Sequence, residues 1–174
     1  MFTGLIRHLG TLEARSSRPG GARLRIAAPA DLLARAELGA SIAVNGVCLT
    51  SVSVDGRAWE ADLSEETLEK TTLGGLPLGA ALHLEPALCV GDPLDGHQVS
   101  GHVDGIGQLV SRPRVQGGVD EGIWRFSMPM ALAPNWARAR RSAGAAMRSL
   151  APPGRGDRDS KVPRCLISPV NMVA

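Results

Sequence analysis

Cys48 and Thr50 are the residues of this chain whose types and spacing most directly suggest chemistry. Residues two apart on a strand project from the same face, so the thiol and the hydroxyl should lie side by side. We expect that face to open into the mouth of a β-barrel, where the two groups suit addition to an electron-poor heteroaromatic ring. The alternative is that Cys48 is a small buried hydrophobic residue, the usual role of a free cysteine.

A second group of polar residues lies where a predicted strand runs into a predicted helix. It comprises Asp62, Ser64, Glu65, Glu66 and Thr67. The first backbone N–H groups of a helix have no partner within it, and with nearby carboxylates and hydroxyls they could hold a polyol and a pyrimidine edge. Helix capping by Ser64 is the structural alternative. Capping and ligand binding are compatible, because a cap orders the same backbone that a ligand would contact.

The histidines and cysteines do not form a metal-binding pattern. His97 and His102 would lie on opposite faces of a continuous strand without a third ligand beside them, so we expect no metal. His102 fits better as a polar group at the edge of a substrate, where it could assist proton transfer. The cysteines at positions 48, 89 and 165 lack C-x-x-C spacing, which favours reduced thiols in a cytoplasmic protein.

Alternating apolar residues and turn signals predict strands through the first half of the chain. Asn45-Gly46 favours a type I′ turn, whose central residues need positive φ, and Asp55-Gly56 should repeat it. The predicted strands are Phe2–Leu12, Arg23–Ala28, Ser41–Val44, Val47–Val54, Arg57–Leu63 and Ala81–Glu85, and the predicted short helices are Pro29–Leu38, ended by Gly39, and Ser64–Lys70. We therefore predict an all-β fold, a six-stranded antiparallel Greek-key barrel with two short helices, in which closure removes exposed sheet edges.

An internal repeat with a spacing of about 100 residues predicts a second copy of this barrel. Residues 4–12 align with 101–109, and residues 24–32 align with 124–132. A counterpart of the segment with Cys48 is missing further on, because the chain there shows neither alternation nor a hairpin turn. The second copy is therefore predicted to be incomplete.

The composition changes near residue 133. Residues 1–132 carry 11 Lys+Arg against 15 Asp+Glu, whereas residues 133–174 carry 8 against 2. We divide the chain into a first barrel (1–97), an incomplete second barrel (98–134) and an irregular basic tail (135–174) that we expect to be disordered. A shifted reading frame would explain the tail. Its basic charge, without interleaved aromatic residues or a nucleic-acid-binding fold, predicts no nucleic-acid partner, and no run of about 18 apolar residues predicts a membrane span.

Four separated motifs resemble riboflavin synthase in that family's order and spacing. They are Met1-Phe2-Thr3-Gly4, the segment 41–50 ending in Val47-Cys48-Leu49-Thr50, Glu66-Thr67-Leu68, and the segment 96–105 containing Ser100-Gly101-His102-Val103. The resemblance covers roughly residues 1–132 and implies a lumazine-binding barrel. It also implies dismutation of two 6,7-dimethyl-8-ribityllumazine molecules to riboflavin and 5-amino-6-ribitylamino-pyrimidinedione, without metal or organic cofactor, in a homotrimer.

The resemblance further implies a substrate pocket made of four short segments. Position by position, they are Gly4, Leu5 and Ile6; Cys48, Leu49 and Thr50; Asp62, Leu63, Ser64, Glu65, Glu66 and Thr67; and Gly101, His102 and Val103. Cys48 and His102 are the expected catalytic residues. Two alternatives stay open, a non-catalytic lumazine- or flavin-binding protein and an inactive fragment of the synthase.

Overall fold

The computed structural model describes residues 1–111, 115–116, 119–120, 125–127, 129 and 164–167. Its amino-terminal half is a closed antiparallel barrel with strand order β1-β2-β5-β4-β3-β6. The elements are β1 (His8–Arg18), β2 (Gly21–Ala27), α1 (Ala30–Leu33), β3 (Ser41–Val44), β4 (Val47–Val54), β5 (Ala58–Ser64), α2 (Glu65–Lys70), a 3-10 turn (Leu73–Gly75) and β6 (Ala81–Pro86). The predicted all-β class, with its six-stranded barrel and two short helices, is confirmed.

Apolar side chains fill the barrel interior because the strands alternate. In β2, Leu24 and Ile26 are fully buried, whereas Arg25 between them lies on the outer side. The interior cluster consists of Leu12, Leu24, Ile26, Leu32, Ala36, Ile42, Val44, Val47, Leu49, Trp59, Ala61, Leu63, Leu73, Leu82 and Leu84. Apolar side chains therefore occupy the interior, and the groups open to solvent lie at the rim and on the outer face.

The β3–β4 turn has the predicted geometry. Asn45 has φ 49° and Gly46 has φ 84°, the positive values that a type I′ turn requires. Asn45 also ties the hairpin to β6, because its Oδ1 accepts a hydrogen bond from the amide of His83 at 2.8 Å. Local turn chemistry therefore fixes this hairpin and its register.

The prediction that Asp55-Gly56 repeats this turn is wrong. Neither residue has positive φ. Instead, the Asp55 carboxylate accepts hydrogen bonds from the amides of Arg57 (2.8 Å) and Ala58 (2.9 Å), which closes a three-residue loop between β4 and β5. These bonds, with a further one from Arg25, lower the pKa of Asp55 to about 2.

Two predicted element boundaries are also wrong. The first strand begins at His8 rather than Phe2, because Gly4 has φ 79° and interrupts the extended chain before it. The first helix ends at Leu33 rather than near Gly39. Beyond it, Ser51 of β4 donates a hydrogen bond from Oγ to the carbonyl oxygen of Ala36 at 2.8 Å and so occupies backbone that a longer helix would bond internally.

Three short strands reproduce part of the barrel in the second copy. They are β7 (Gly105–Ser111), β10 (Arg125–Ser127) and β11 (Arg164–Ile167). Among the described strands, β8 (Val115–Gln116) and β9 (Val119–Asp120) pair with each other and not with these three. β7 pairs with β10 and β11 as β1 pairs with β2 and β6, and Gly105↔Ile167 takes the place of His8↔Leu84. The repeat is therefore visible in backbone pairing. β11 lies within the tail that we expected to be disordered, and the other residues of that tail lie outside the described part.

Phe2 and Val99 mark a local two-fold relation between the two copies. Each amide donates to the other's carbonyl oxygen, at 2.8 Å from Phe2 and 2.9 Å from Val99. On either side the chain makes the same turn, since Gly4 has φ 79° and Gly101 has φ 77°. The repeat alignment matches these two glycines, so the paired residues are themselves equivalent.

Candidate functional site

Gly101 lies directly against Cys48 on β4. The Cys48 amide donates a hydrogen bond to the Gly101 carbonyl oxygen at 2.8 Å. A Cβ at position 101 would lie 2.8 Å from the Cys48 Cβ and 3.0 Å from Cε2 of Phe2, so no side chain fits. The positive φ of Gly101 also favours glycine. The structure therefore brings together two of the four segments that the resemblance implies.

Cys48 and Thr50 share the outer face of β4, as their spacing predicts. The alternate residues Val47 and Leu49 belong to the interior cluster, whereas Cys48 is half-buried and Thr50 is exposed. This face is the outer side of the barrel wall and not its interior, which differs from our expectation. Gly101 covers the Cys48 end of the face and leaves Thr50 accessible.

The start of α2 lies next to this face. Ser51 of β4 pairs with Ala61 of β5 in an antiparallel manner. Thr50 and Asp62, the next residues toward α2, are therefore neighbours on the two strands. Ser64 caps the helix as predicted, accepting a hydrogen bond from the Thr67 amide at 3.2 Å, and the two hydroxyl oxygens are 3.1 Å apart. Two hydroxyls therefore stand together at the rim.

Two of the three acidic residues of this segment, Asp62 and Glu66, are held in ion pairs, whereas Glu65 is exposed. Arg23 donates to both carboxylate oxygens of Asp62, at 2.6 and 2.7 Å, and this hydrogen bonding lowers the pKa of Asp62. Lys70 donates to Glu66 at 2.5 Å and lowers the pKa of that carboxyl. Leu63 points into the interior and is 2% exposed. The Ser64 and Thr67 hydroxyls and the backbone are thus the candidate ligand-binding groups of this segment.

The segment after Gly101 runs along α2. Val103 and Leu68 both pack against the interior cluster from outside it. The pKa of Lys70 is raised chiefly by its hydrogen bond to Glu66, with a smaller contribution from the charge of Asp104. The Oδ2 atom of Asp104 is buried and has no hydrogen-bond partner in the described part of the chain. Asp104 directly follows Val103 but is not among the residues that the resemblance implies.

The fourth segment, Gly4 to Ile6, lies against the connection between β6 and β7. A Cβ on Gly4 would meet the Val99 side chain at 3.4 Å, and one on Gly96 would approach Cγ of Leu5 at 3.3 Å. Leu5 and Ile6 are each 41% exposed. This segment therefore contacts the connection between β6 and β7.

His97 and His102 lie in the connection between β6 and β7 and not in a continuous strand, so the opposite-face argument does not apply to them. The His97 amide donates to the Thr3 carbonyl oxygen at 2.8 Å, and the His102 amide donates to Oγ of Ser100 at 3.2 Å. Among the described residues, no three His, Cys, Asp or Glu side chains gather where they could hold a metal ion. In the same residues, no helix has the length and apolar character needed to cross a membrane.

Sequence comparison matches the barrel to a known domain. The sequence model of a family described as "Lumazine binding domain" matches residues 3–87. Riboflavin synthase of Mycobacterium tuberculosis is 46% identical over 114 residues, which cover 64% of this chain and 56% of that protein. Riboflavin synthase of Brucella abortus is 39% identical over 142 residues, 77% of this chain and 67% of that protein. The chain thus spans little more than half the length of the M. tuberculosis relative.

Structural comparison gives the same barrel. The crystal structure of LumP complexed with riboflavin has a TM-score of 0.64 at 25% identity, covering 78% of this chain and 71% of that one. LumP complexed with 6,7-dimethyl-8-(1'-D-ribityl) lumazine has a TM-score of 0.59 at 26% identity, covering 67% and 64%. Both similar structures hold a ring system with a ribityl chain.

Proposed function

Because this chain belongs to the riboflavin synthase family, we propose that its first barrel binds 6,7-dimethyl-8-ribityllumazine and that the chain carries out the synthase reaction. The observation that supports this best is the hydrogen bond from Cys48 to Gly101. It brings the segment 101–103 against the outer face of β4, beside the start of α2. Three of the four segments implied by the resemblance therefore lie at one end of the barrel.

The groups at this end suit a flat ring with a polyol chain. The hydroxyls of Thr50, Ser64 and Thr67 can donate to and accept from a pyrimidine edge or ribityl hydroxyls. Val103 and Leu68 offer apolar surface to the methyl-bearing part of the ring. The buried Oδ2 of Asp104 would gain a donor if a ligand hydroxyl reached it.

The proposed reaction transfers a four-carbon unit between two identical molecules. One lumazine gives up the unit and becomes the ribitylamino-pyrimidinedione, while the other accepts it and becomes riboflavin. Most of the rate enhancement should come from holding the two rings face to face. Cys48 is the proposed nucleophile toward the acceptor ring, and His102 the proposed proton carrier. The second substrate would bind to the second copy, which contributes β7, β10 and β11 to the described residues.

A binding protein without turnover is the second candidate function. LumP, a structural neighbour, is seen with riboflavin and with a ribityllumazine, and its fold matches most of this chain. In the described part of this chain, the second copy has three strands where the first barrel has six. An inactive fragment is the remaining alternative.

Two measurements on the full chain separate these functions. Titration of riboflavin, followed by quenching of its fluorescence, should saturate at one ligand per first barrel. Failure to bind both riboflavin and the lumazine would leave only the inactive fragment. Formation of riboflavin from the lumazine supports the synthase, and binding without formation of product identifies the second candidate.

The division into a first barrel, an incomplete second barrel and a tail belongs to the same proposal, as do a homotrimeric assembly and a cytoplasmic location. Sedimentation of the full chain with and without riboflavin tests the assembly. A trimer agrees with what the resemblance implies, whereas a monomer that binds riboflavin would remove the trimer from the proposal and keep the site.

A further inference from the structure

Glu85 is a buried acid at the end of β6 whose carboxylate is hydrogen-bonded to the amino-terminal segment. It is 6% exposed. Its Oε1 accepts from the amide and the hydroxyl of Thr3, at 2.5 and 2.7 Å, and its Oε2 accepts from the amide of Gly4 at 3.1 Å. Burying a carboxylate is unfavourable unless donors surround it, and here all three donors come from two consecutive residues. Glu85 therefore fixes the backbone at residues 3–4.

The backbone at residues 2–3 in turn holds the connection between β6 and β7. The Thr3 carbonyl oxygen accepts from the His97 amide at 2.8 Å. Phe2 and Val99 exchange two backbone hydrogen bonds. The connection between β6 and β7 is thus hydrogen-bonded to the amino-terminal segment, and that segment is hydrogen-bonded to Glu85.

The same connection continues into the candidate site. Gly101 follows Val99 by two residues and accepts the hydrogen bond from Cys48. The Phe2 ring packs against Gly101, since a Cβ there would lie 3.0 Å from Cε2 of Phe2. Contacts therefore run without interruption from Glu85, through the first three residues of the chain, to the segment that covers the outer face of β4.

We propose that Glu85 is a positioning residue for the ligand site of the first barrel: through Thr3, Phe2 and Val99 it sets the place of Gly101, His102 and Val103. This inference rests on the function proposed above. Glu85 touches neither Cys48 nor α2 through the hydrogen bonds of its carboxylate, so its effect on a ligand is indirect. It is not one of the residues that the resemblance implies.

The barrel itself does not depend on this carboxylate. The backbone of Glu85 pairs with Ala43 of β3, and the neighbouring Leu84 supplies the interior side chain. Glu85 is absent from the interior cluster, and its side chain is covered by the amino-terminal segment. Loss of the carboxylate should loosen the segment and the connection while the barrel stays closed.

The test uses Glu85→Gln and Thr3→Val in the full chain. Glutamine keeps the shape but places an NH₂ group where one oxygen accepts a hydrogen bond, and valine removes the hydroxyl while keeping the volume of threonine. Glu60→Gln is the matched control, since Glu60 is a half-buried acid on the outer barrel wall that pairs with Arg23 and Arg25. Riboflavin affinity and amide hydrogen exchange are measured for each variant.

We expect both test variants to bind riboflavin about five- to tenfold more weakly, the loss that fits one ordinary hydrogen bond. The Val99 and Cys48 amides should exchange at least about tenfold faster, with the β2–β5 ladder unchanged. Glu60→Gln should change neither the affinity nor these two amides.

Unchanged exchange at Val99 and Cys48, or an equal acceleration throughout the barrel, would overturn the positioning role, because the second result describes a general loss of stability. Faster exchange at both amides with unchanged affinity in a riboflavin-binding chain would also overturn it. If the unaltered chain does not bind riboflavin, the proposed function fails by itself, and the exchange of Val99 and Cys48 still decides whether Glu85 controls the connection.

Discussion

The hydrogen bond from the Cys48 amide to the Gly101 carbonyl oxygen, 2.8 Å long, joins the outer wall of the first barrel to the beginning of the second copy. It places Cys48, the candidate nucleophile, beside the segment that connects β6 to β7. The proposed ligand site at this end of the barrel therefore involves both halves of the sequence.

Replacing Gly101 by alanine should weaken riboflavin binding about tenfold or more. The new Cβ would lie 2.8 Å from the Cys48 Cβ, and the positive φ adds strain of about 1–2 kcal/mol. Fluorescence titration measures the affinity. Gly79→Ala is the matched control, because Gly79 has φ 81° but nothing within 4 Å of its Cβ position. It should lower Tm and leave the affinity unchanged, and equal affinities for the two variants would contradict the close contact at Gly101.

Cys48→Ser should reduce turnover more than affinity. The hydroxyl keeps the size and polarity of the site but is a weaker nucleophile than a thiolate, so a chemical role would appear in kcat. We expect a fall of about tenfold or more in kcat with a change of less than about twofold in riboflavin Kd. Cys89→Ser controls for loss of an exposed thiol elsewhere. Equal losses in kcat and affinity would assign Cys48 a packing role instead.

Ser64 should contribute separately to stability and to binding. Ser64→Ala removes the acceptor for the Thr67 amide and should cost about 1 kcal/mol in the free energy of unfolding, measured by denaturant titration. Ser64→Asn restores a capping oxygen and should regain most of that stability. If the serine hydroxyl binds ligand, both variants lose affinity. Full affinity in Ser64→Asn would limit Ser64 to capping.

Asp55 should stabilise the barrel in a pH-dependent manner. Hydrogen bonds from the amides of Arg57 and Ala58 and from Arg25 lower its pKa from 3.8 to about 2. A lowered pKa in the folded state means that the stabilisation is complete above the unfolded value and is lost as the pH falls through about 2. Asp55→Ala should therefore lower Tm by a few degrees, about 2–5 °C, at neutral pH.

The difference in Tm between this variant and the unaltered chain should shrink between about pH 4 and pH 2, measured by thermal unfolding followed by circular dichroism. Asp95→Ala, which removes an exposed acid 3.9 Å from Arg7, is the control. A Tm difference that stayed constant down to pH 2 would show that the carboxylate charge does not contribute to the loop.

Sequence reasoning succeeded where chemistry within a few residues decides the structure. Asn45-Gly46 requires its turn through backbone φ, and Ser64 reaches an amide three residues away. Asp55-Gly56 shows the limit of this reasoning. It was expected to form the same turn as Asn45-Gly46 but forms a different loop, because the Asp55 carboxylate accepts hydrogen bonds from the amides that follow it.

The contacts over long sequence distances were not predictable in this way. Alternation along β6 makes Glu85 look like a solvent-facing residue, since it follows the interior Leu84. It is buried because residues 82 positions earlier fold over it. No local pattern predicts that Gly101 contacts Cys48, because the two residues are far apart in the sequence. The motifs that contain them indicated only the family of the chain.

The paired hydrogen bonds of Phe2 and Val99 have a mechanical consequence. A two-fold exchange of this kind is self-complementary, but its two backbone hydrogen bonds contribute only about 1 kcal/mol each. Residues 88–96 are then a tether that raises the local concentration of one segment at the other. A protease cut within that tether should loosen the pairing, and the Phe2 and Val99 amides should then exchange faster with solvent.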